Sequence, residues 1–110
     1  MSYQDLSLDD YKNDYFDADA PHVLIDVRTE EEFDEFHLPN AILIPLNTVG
    51  SQVEHIRNLA GDKPIVLVCR SGGRSAMAAE LLFDAGLKET PLFNLDGGSQ
   101  GWKNRGWLVE

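Results

Sequence analysis

The chain has 110 residues, room for one domain and one continuous core. Hydrophobic residues make up 43% and charged residues 25%, which excludes a disordered chain, and no apolar run approaches the roughly 20 residues needed to cross a bilayer. With 19 acidic residues against 9 basic ones the formal charge is −10, which argues against nucleic acid or an anionic membrane as partner and serves either solubility or the steering of a basic protein.

In chain order, residues 1–5 carry neither a basic region nor an apolar stretch, so no signal peptide is visible and a cytoplasmic location is expected. Ser7-Leu8-Asp9-Asp10 resembles a capping box and predicts a helix start. The apolar run 23–27 (VLIDV) reads as a buried strand, and Thr29-Glu30-Glu31-Glu32 then opens another helix with the same capping pattern. Runs 41–44 (AILI), 65–68 (IVLV) and 92–95 (LFNL) read as further strands. Their lack of in–out alternation suits a parallel sheet covered on both faces. The clearest helix follows Cys69. Ala78, Leu81, Leu82 and Ala85 fall at i, i+3, i+4 and i+7, which predicts one apolar face, and Gly86 supplies the stop. A last short helix is predicted from near Ser99, carrying Trp102. Strands alternating with helices imply crossover units and an α/β fold, in a single domain over residues 1–110.

The chemistry concentrates between the strand ending at Val68 and the helix after it, in Cys69-Arg70-Ser71-Gly72-Gly73-Arg74-Ser75. Ligands of open α/β sheets bind at the carboxyl ends of strands, where this loop must lie. Gly72 and Gly73 allow a sharp turn that points successive N–H groups toward one centre, and the following helix adds the positive end of its dipole. Arg70 and Arg74 add full charges. These features lower the pKa of the Cys69 thiol and favour the thiolate, which is the nucleophile. The plain alternative is a free cysteine that merely ends a buried strand. Cys69 is the sole cysteine, so no disulfide and no resolving thiol exists in the chain, and anything it carries must pass to another molecule.

The loop and much of the chain around it resemble the rhodanese family. Leu24-Ile25-Asp26-Val27-Arg28, Glu32-Phe33 and His37-Leu38-Pro39-Asn40-Ala41 resemble its first signature. Cys69 to Ser75, followed by Ala78-Ala79-Glu80-Leu81-Leu82 and Gly86, resembles its active-site signature, and Asn94-Leu95-Asp96-Gly97-Gly98 with Gly101-Trp102 resembles its closing segment. The resemblance implies a five-stranded parallel sheet with helices on both faces. It also implies a cysteine that takes sulfane sulfur from a small anionic donor such as thiosulfate and passes it to cyanide, a thiol or an acceptor protein. By position, Cys69 bears the persulfide, and Arg70, Ser71, Gly72, Gly73, Arg74 and Ser75 form the substrate-binding cradle, with Arg74 the better candidate for donor recognition. Asn40 departs from the pattern, which has Gly there; Asn tolerates a left-handed backbone, so the turn is expected to survive.

Other residues admit quieter readings. Asp26 and Arg28 end a strand on the ligand side, but Arg28 and Glu32 are spaced to form a local ion pair. His22, His37 and His55 lack metal-ligand spacing, so no metal is expected, and no motif asks for a cofactor. Trp102 and Trp107 read as packing, with Trp102 alternatively shielding the site. Ser75 either donates toward sulfur or caps the helix.

Two other functions compete. Phosphatases and arsenate reductases of the same fold carry a loop of Cys, five residues, Arg. Here four residues separate Cys69 from Arg74, which favours sulfur transfer. A relay or regulatory binding module is the other rival, and the retained Cys69 argues against a purely non-catalytic one.

Overall fold

In the computed structural model, which describes residues 2–110, β1 (Gln4–Leu6), β2 (Val23–Asp26), β3 (Ile42–Leu43), β4 (Ile65–Val68) and β5 (Leu92–Leu95) form one parallel sheet in the order β1-β5-β4-β2-β3. The helices are α1 (Leu8–Tyr11), extended by a π-helical turn over Lys12–Phe16, then α2 (Glu30–Glu35), α3 (Leu46–Val49), α4 (Val53–Ala60), α5 (Gly73–Asp84) and α6 (Gly98–Asn104).

The continuous apolar strands work because both faces of the sheet are covered. Along β4, Ile65 and Leu67 enter a core with Ile56, Ala78 and Leu82, while Val66 and Val68 enter another with Tyr11, Leu38 and Trp102. Neighbouring residues thus point to opposite faces, and both faces are dry. No helix of the described residues is long and apolar enough to cross a membrane.

β4 and β5 take the expected bounds, and β2 stops one residue short at Asp26. The run 41–44 yields a two-residue strand, although hydrogen bonding to the β2 segment continues past it, from Ile44 N–H to the Asp26 carbonyl and from Leu46 N–H to the Val27 carbonyl. β1 was not among the predicted strands. Its three residues are polar or half-buried, and it pairs along one edge only, with β5.

Both predicted caps form. Thr29 and Glu32 make the reciprocal capping box, whereas Ser7 accepts from the Asp10 amide (3.1 Å) without the return bond. The predicted apolar face of α5 requires correction. Ser75, Ala78, Ala79 and Leu82 are buried, whereas Leu81 is 44% exposed and Ala85 faces outward. The same spacing holds, set back by three residues, because small side chains let α5 lie close against the sheet. Gly86, at φ +101, ends α5 as predicted, with its N–H on the Phe83 carbonyl and the Leu87 N–H on the Leu82 carbonyl. Asn40 adopts φ +67, the left-handed conformation expected of it.

Candidate active site

Cys69 follows β4 directly, at the carboxyl end of the sheet's middle strand. Two elements hold the loop after it. Gly72 turns the chain at φ +120 into α5, a conformation that disfavours any side chain. From the other side, α6 presents its first amides to the loop: Ser99 N–H donates to the Cys69 carbonyl (2.8 Å) and Gln100 N–H to the Arg70 carbonyl (3.1 Å). That approach needs Gly98, where a Cβ would stand 2.3 Å from the Arg70 carbonyl oxygen. Gly73, expected to share the turn, does not: it begins α5 at an ordinary φ, and a Cβ there would meet nothing.

The thiol is buried but not apolar in its surroundings. The Gly72 amide donates to Sγ (3.1 Å), and the Ser75 hydroxyl lies 3.3 Å from it. Burial pushes the thiol up, but the Ser75 hydroxyl and the amides of Ser75, Gly72 and Ser71 more than offset it, leaving Cys69 below its ordinary value. Ser75 does not cap α5, since Gly72 occupies that position; its hydroxyl also bonds Asn94 Oδ1.

The arginines divide their work. Arg74 grips Glu32 of α2 with Nη1–Oε1 at 2.7 Å and Nη2–Oε2 at 2.9 Å, and this fork lowers the Glu32 carboxyl to about 2. Arg70 is exposed and makes no ion pair among the described residues. It edges a small cleft of about 70 Å³ with Gln100 and Lys103 of α6 and with Arg28, Glu32 and Glu35. The larger cleft at the opposite end of the sheet, lined by Tyr3, Lys88 and Phe93, lacks Cys69 and the cradle.

The expected Arg28–Glu32 pair does not form. Arg28 turns back on Asp26 (Nη2–Oδ2 2.8 Å) and on the Phe36 carbonyl (2.6 Å), both charges being buried, while Glu32 faces Arg74. Burial decides this: Asp26 is fully enclosed and would otherwise lack a counter-charge. Trp102 is buried in the core, its indole N–H on the Leu108 carbonyl (2.7 Å), and contributes no surface to the site. His37 stacks on Phe33 and bonds its carbonyl, a structural role, and His22 bonds the Tyr11 hydroxyl. Asn94 and Gly98 reach the site unforeseen as individual residues; the sole signal was their place in the closing segment.

A family model described as Rhodanese-like domain matches residues 7–105. The chain is 32% identical over 81 residues to the thiosulfate sulfurtransferase GlpE of Pseudomonas syringae pv. syringae (strain B728a), covering 74% of this chain and 72% of that protein. It is 33% identical over 106 residues to the adenylyltransferase and sulfurtransferase MOCS3 of Drosophila grimshawi, covering 93% of this chain but 23% of that much longer protein. The crystal structure of a rhodanese-related protein from Thermoplasma volcanium superimposes with a TM-score of 0.75 at 30% identity, covering 98% of each chain.

Proposed function

The chain belongs to the rhodanese-like domain family, and on that premise we propose that it is a sulfurtransferase carrying sulfane sulfur on Cys69 as a persulfide. The observation that carries this reading is the Cys69 thiol held below its ordinary value by the Ser75 hydroxyl and the amides of its loop, despite burial. The cradle stabilises negative charge at one sulfur position, as both a thiolate and a persulfide require.

Two displacements make up the reaction. The Cys69 thiolate attacks the outer sulfur of a donor such as thiosulfate. The donor's S–S bond breaks, and sulfite departs with the bonding electron pair. An acceptor nucleophile, either cyanide or an external thiol, then attacks the outer sulfur of the persulfide and returns Cys69 as thiolate. The amides of Ser71 and Gly72 stabilise charge on sulfur in both steps. Arg74, the expected donor-recognising residue, is instead engaged by Glu32 and contributes positive charge next to the cradle, which leaves Arg70 free to meet the anionic donor. With a single cysteine in the chain, the acceptor comes from outside. The four-residue spacing from Cys69 to Arg74 supports a loop sized for sulfur. A lone, unpaired thiol suits a reducing cytoplasmic setting.

Intact-protein mass spectrometry tests the proposal. Thiosulfate should add one sulfur mass that maps to Cys69, and cyanide should remove it. No adduct with thiosulfate or a polysulfide would reject sulfur carriage and direct the search to phosphate esters and arsenate.

A further inference from the structure

Asp5 and Asn94 are register partners on β1 and β5, and Asn94 Nδ2 donates to Asp5 Oδ1 at 3.0 Å. A carboxylate has only acceptors to offer, so the amide must turn its nitrogen toward Asp5 and its oxygen the other way. That oxygen meets the Ser75 hydroxyl. Ser75 has one hydrogen and two acceptors in reach, Asn94 Oδ1 and Cys69 Sγ. Asn94 is 5% exposed and Ser75 fully buried, so water offers no substitute donor.

We propose that Asp5 is a positioning residue for the Cys69 thiol, acting through Asn94 and Ser75. By fixing the amide with its oxygen toward Ser75, Asp5 makes that oxygen compete with sulfur for the hydroxyl hydrogen. The resting thiol is therefore less ionised than its loop alone would make it. With Asn at position 5 the chain can reverse: the new amide donates to Asn94 Oδ1, Asn94 Nδ2 donates to Ser75 Oγ, and the Ser75 hydrogen is left to sulfur. The other charges near Cys69 are Arg70 beside it on the loop, Arg74 on α5, with Glu32 of α2 and Asp26 behind it, and Asp96 after β5 beside Gly72. None of these is altered by the substitution. The inference concerns the thiol of the proposed sulfur transfer but does not rest on that activity, because alkylation reads the thiol whether or not it carries sulfur.

The test is the iodoacetamide alkylation rate of the full chain against pH, followed by mass, for wild type, Asp5→Asn, Asn94→Ala, Ser75→Ala and the Asp5→Asn/Ser75→Ala double variant. Below the wild-type midpoint, Asp5→Asn should react about fivefold faster, the gain from one net hydrogen bond to sulfur. Asn94→Ala, which removes the competing oxygen directly, should accelerate in the same direction. In the Ser75→Ala background the Asp5→Asn effect should vanish. A wild-type or slower rate in both single variants overturns the proposal. So does an equal acceleration in the Ser75→Ala background, which would mark simple loss of a negative charge.

Discussion

Arg74 and Glu32 meet as a two-bond fork that ties the helix after the thiol to the helix after β2. The pair joins residues 42 positions apart, so α2 and α5 hold each other across the mouth of the cradle. Glu32 also closes the Thr29 capping box, which leaves its carboxylate engaged on both sides.

This pair predicts an acid limb of stability. The Glu32 carboxyl lies at about 2 in the fold, against roughly 4.3 in an unfolded chain. The unfolded state therefore binds the proton first, so the stabilisation is complete above about pH 5 and is lost as pH falls toward 2. Both side chains are partly solvated, which holds the contribution to about 0.5–1 kcal/mol. In urea titrations Glu32→Gln should be less stable than wild type at pH 7, and the gap should close near pH 2. A gap that is constant with pH would contradict the assignment.

Cys69→Ser should abolish sulfur loading and turnover while the protein stays folded, seen as an unchanged far-ultraviolet dichroism spectrum and no added sulfur mass. Retained turnover would refute the persulfide route.

Free cysteine ionises near 8.5. The wild-type thiol should alkylate with a midpoint below that of the same chain unfolded in urea, because its hydrogen-bond donors outweigh burial. Ser75→Ala removes one donor and should move the midpoint upward. A downward shift would show that the hydroxyl does not serve the thiolate.

The buried Asp26–Arg28 pair predicts a large stability effect. Arg28→Ala leaves a fully enclosed carboxylate without its counter-charge, held only by the backbone amide of residue 28, and the Phe36 carbonyl without the guanidinium, a loss of about 3 kcal/mol or more by equilibrium unfolding. A loss below about 1 kcal/mol would mean that water reaches Asp26.

Gly98 and Gly73 should respond in opposite senses. Gly98→Ala drives a methyl into the Arg70 carbonyl at a left-handed φ and should cost about 2 kcal/mol or more while slowing Cys69 alkylation. Gly73→Ala meets open space in the first turn of α5 and should be neutral or stabilising by up to about 1 kcal/mol. Thermal melts of the two variants decide it.

The parts of the fold legible in the sequence were those with strong local signals. Ile65–Val68 and Leu92–Leu95 are dense in apolar residues, and the Thr29 box marks its helix unaided. β1 carried no such signal, because an edge strand of Gln4, Asp5 and Leu6 is stabilised by its neighbour rather than by its own pattern. The face of α5 was misplaced because Ala78 and Leu82 fit two overlapping stripes, and only the close approach to the sheet chooses the one with Ser75 and Ala79. At the site, Cys69 and its glycine turn could be read from adjacency. The partner of Arg28 could not, since Asp26 and Glu32 were both within reach and burial made the choice. The roles of Asn94 and Gly98 arise from contacts between distant segments, which local spacing does not encode.

β1 can pair only with β5, and Asp5 stands 89 residues from Asn94. Within this sheet β1 is therefore obliged to wait, unzipped, until β5 has emerged from the ribosome. Closing so long a loop is slow, and the sheet edge at β5 stays open meanwhile. The nascent chain thus acquires the final environment of Cys69 in one late event, when β1 docks on β5.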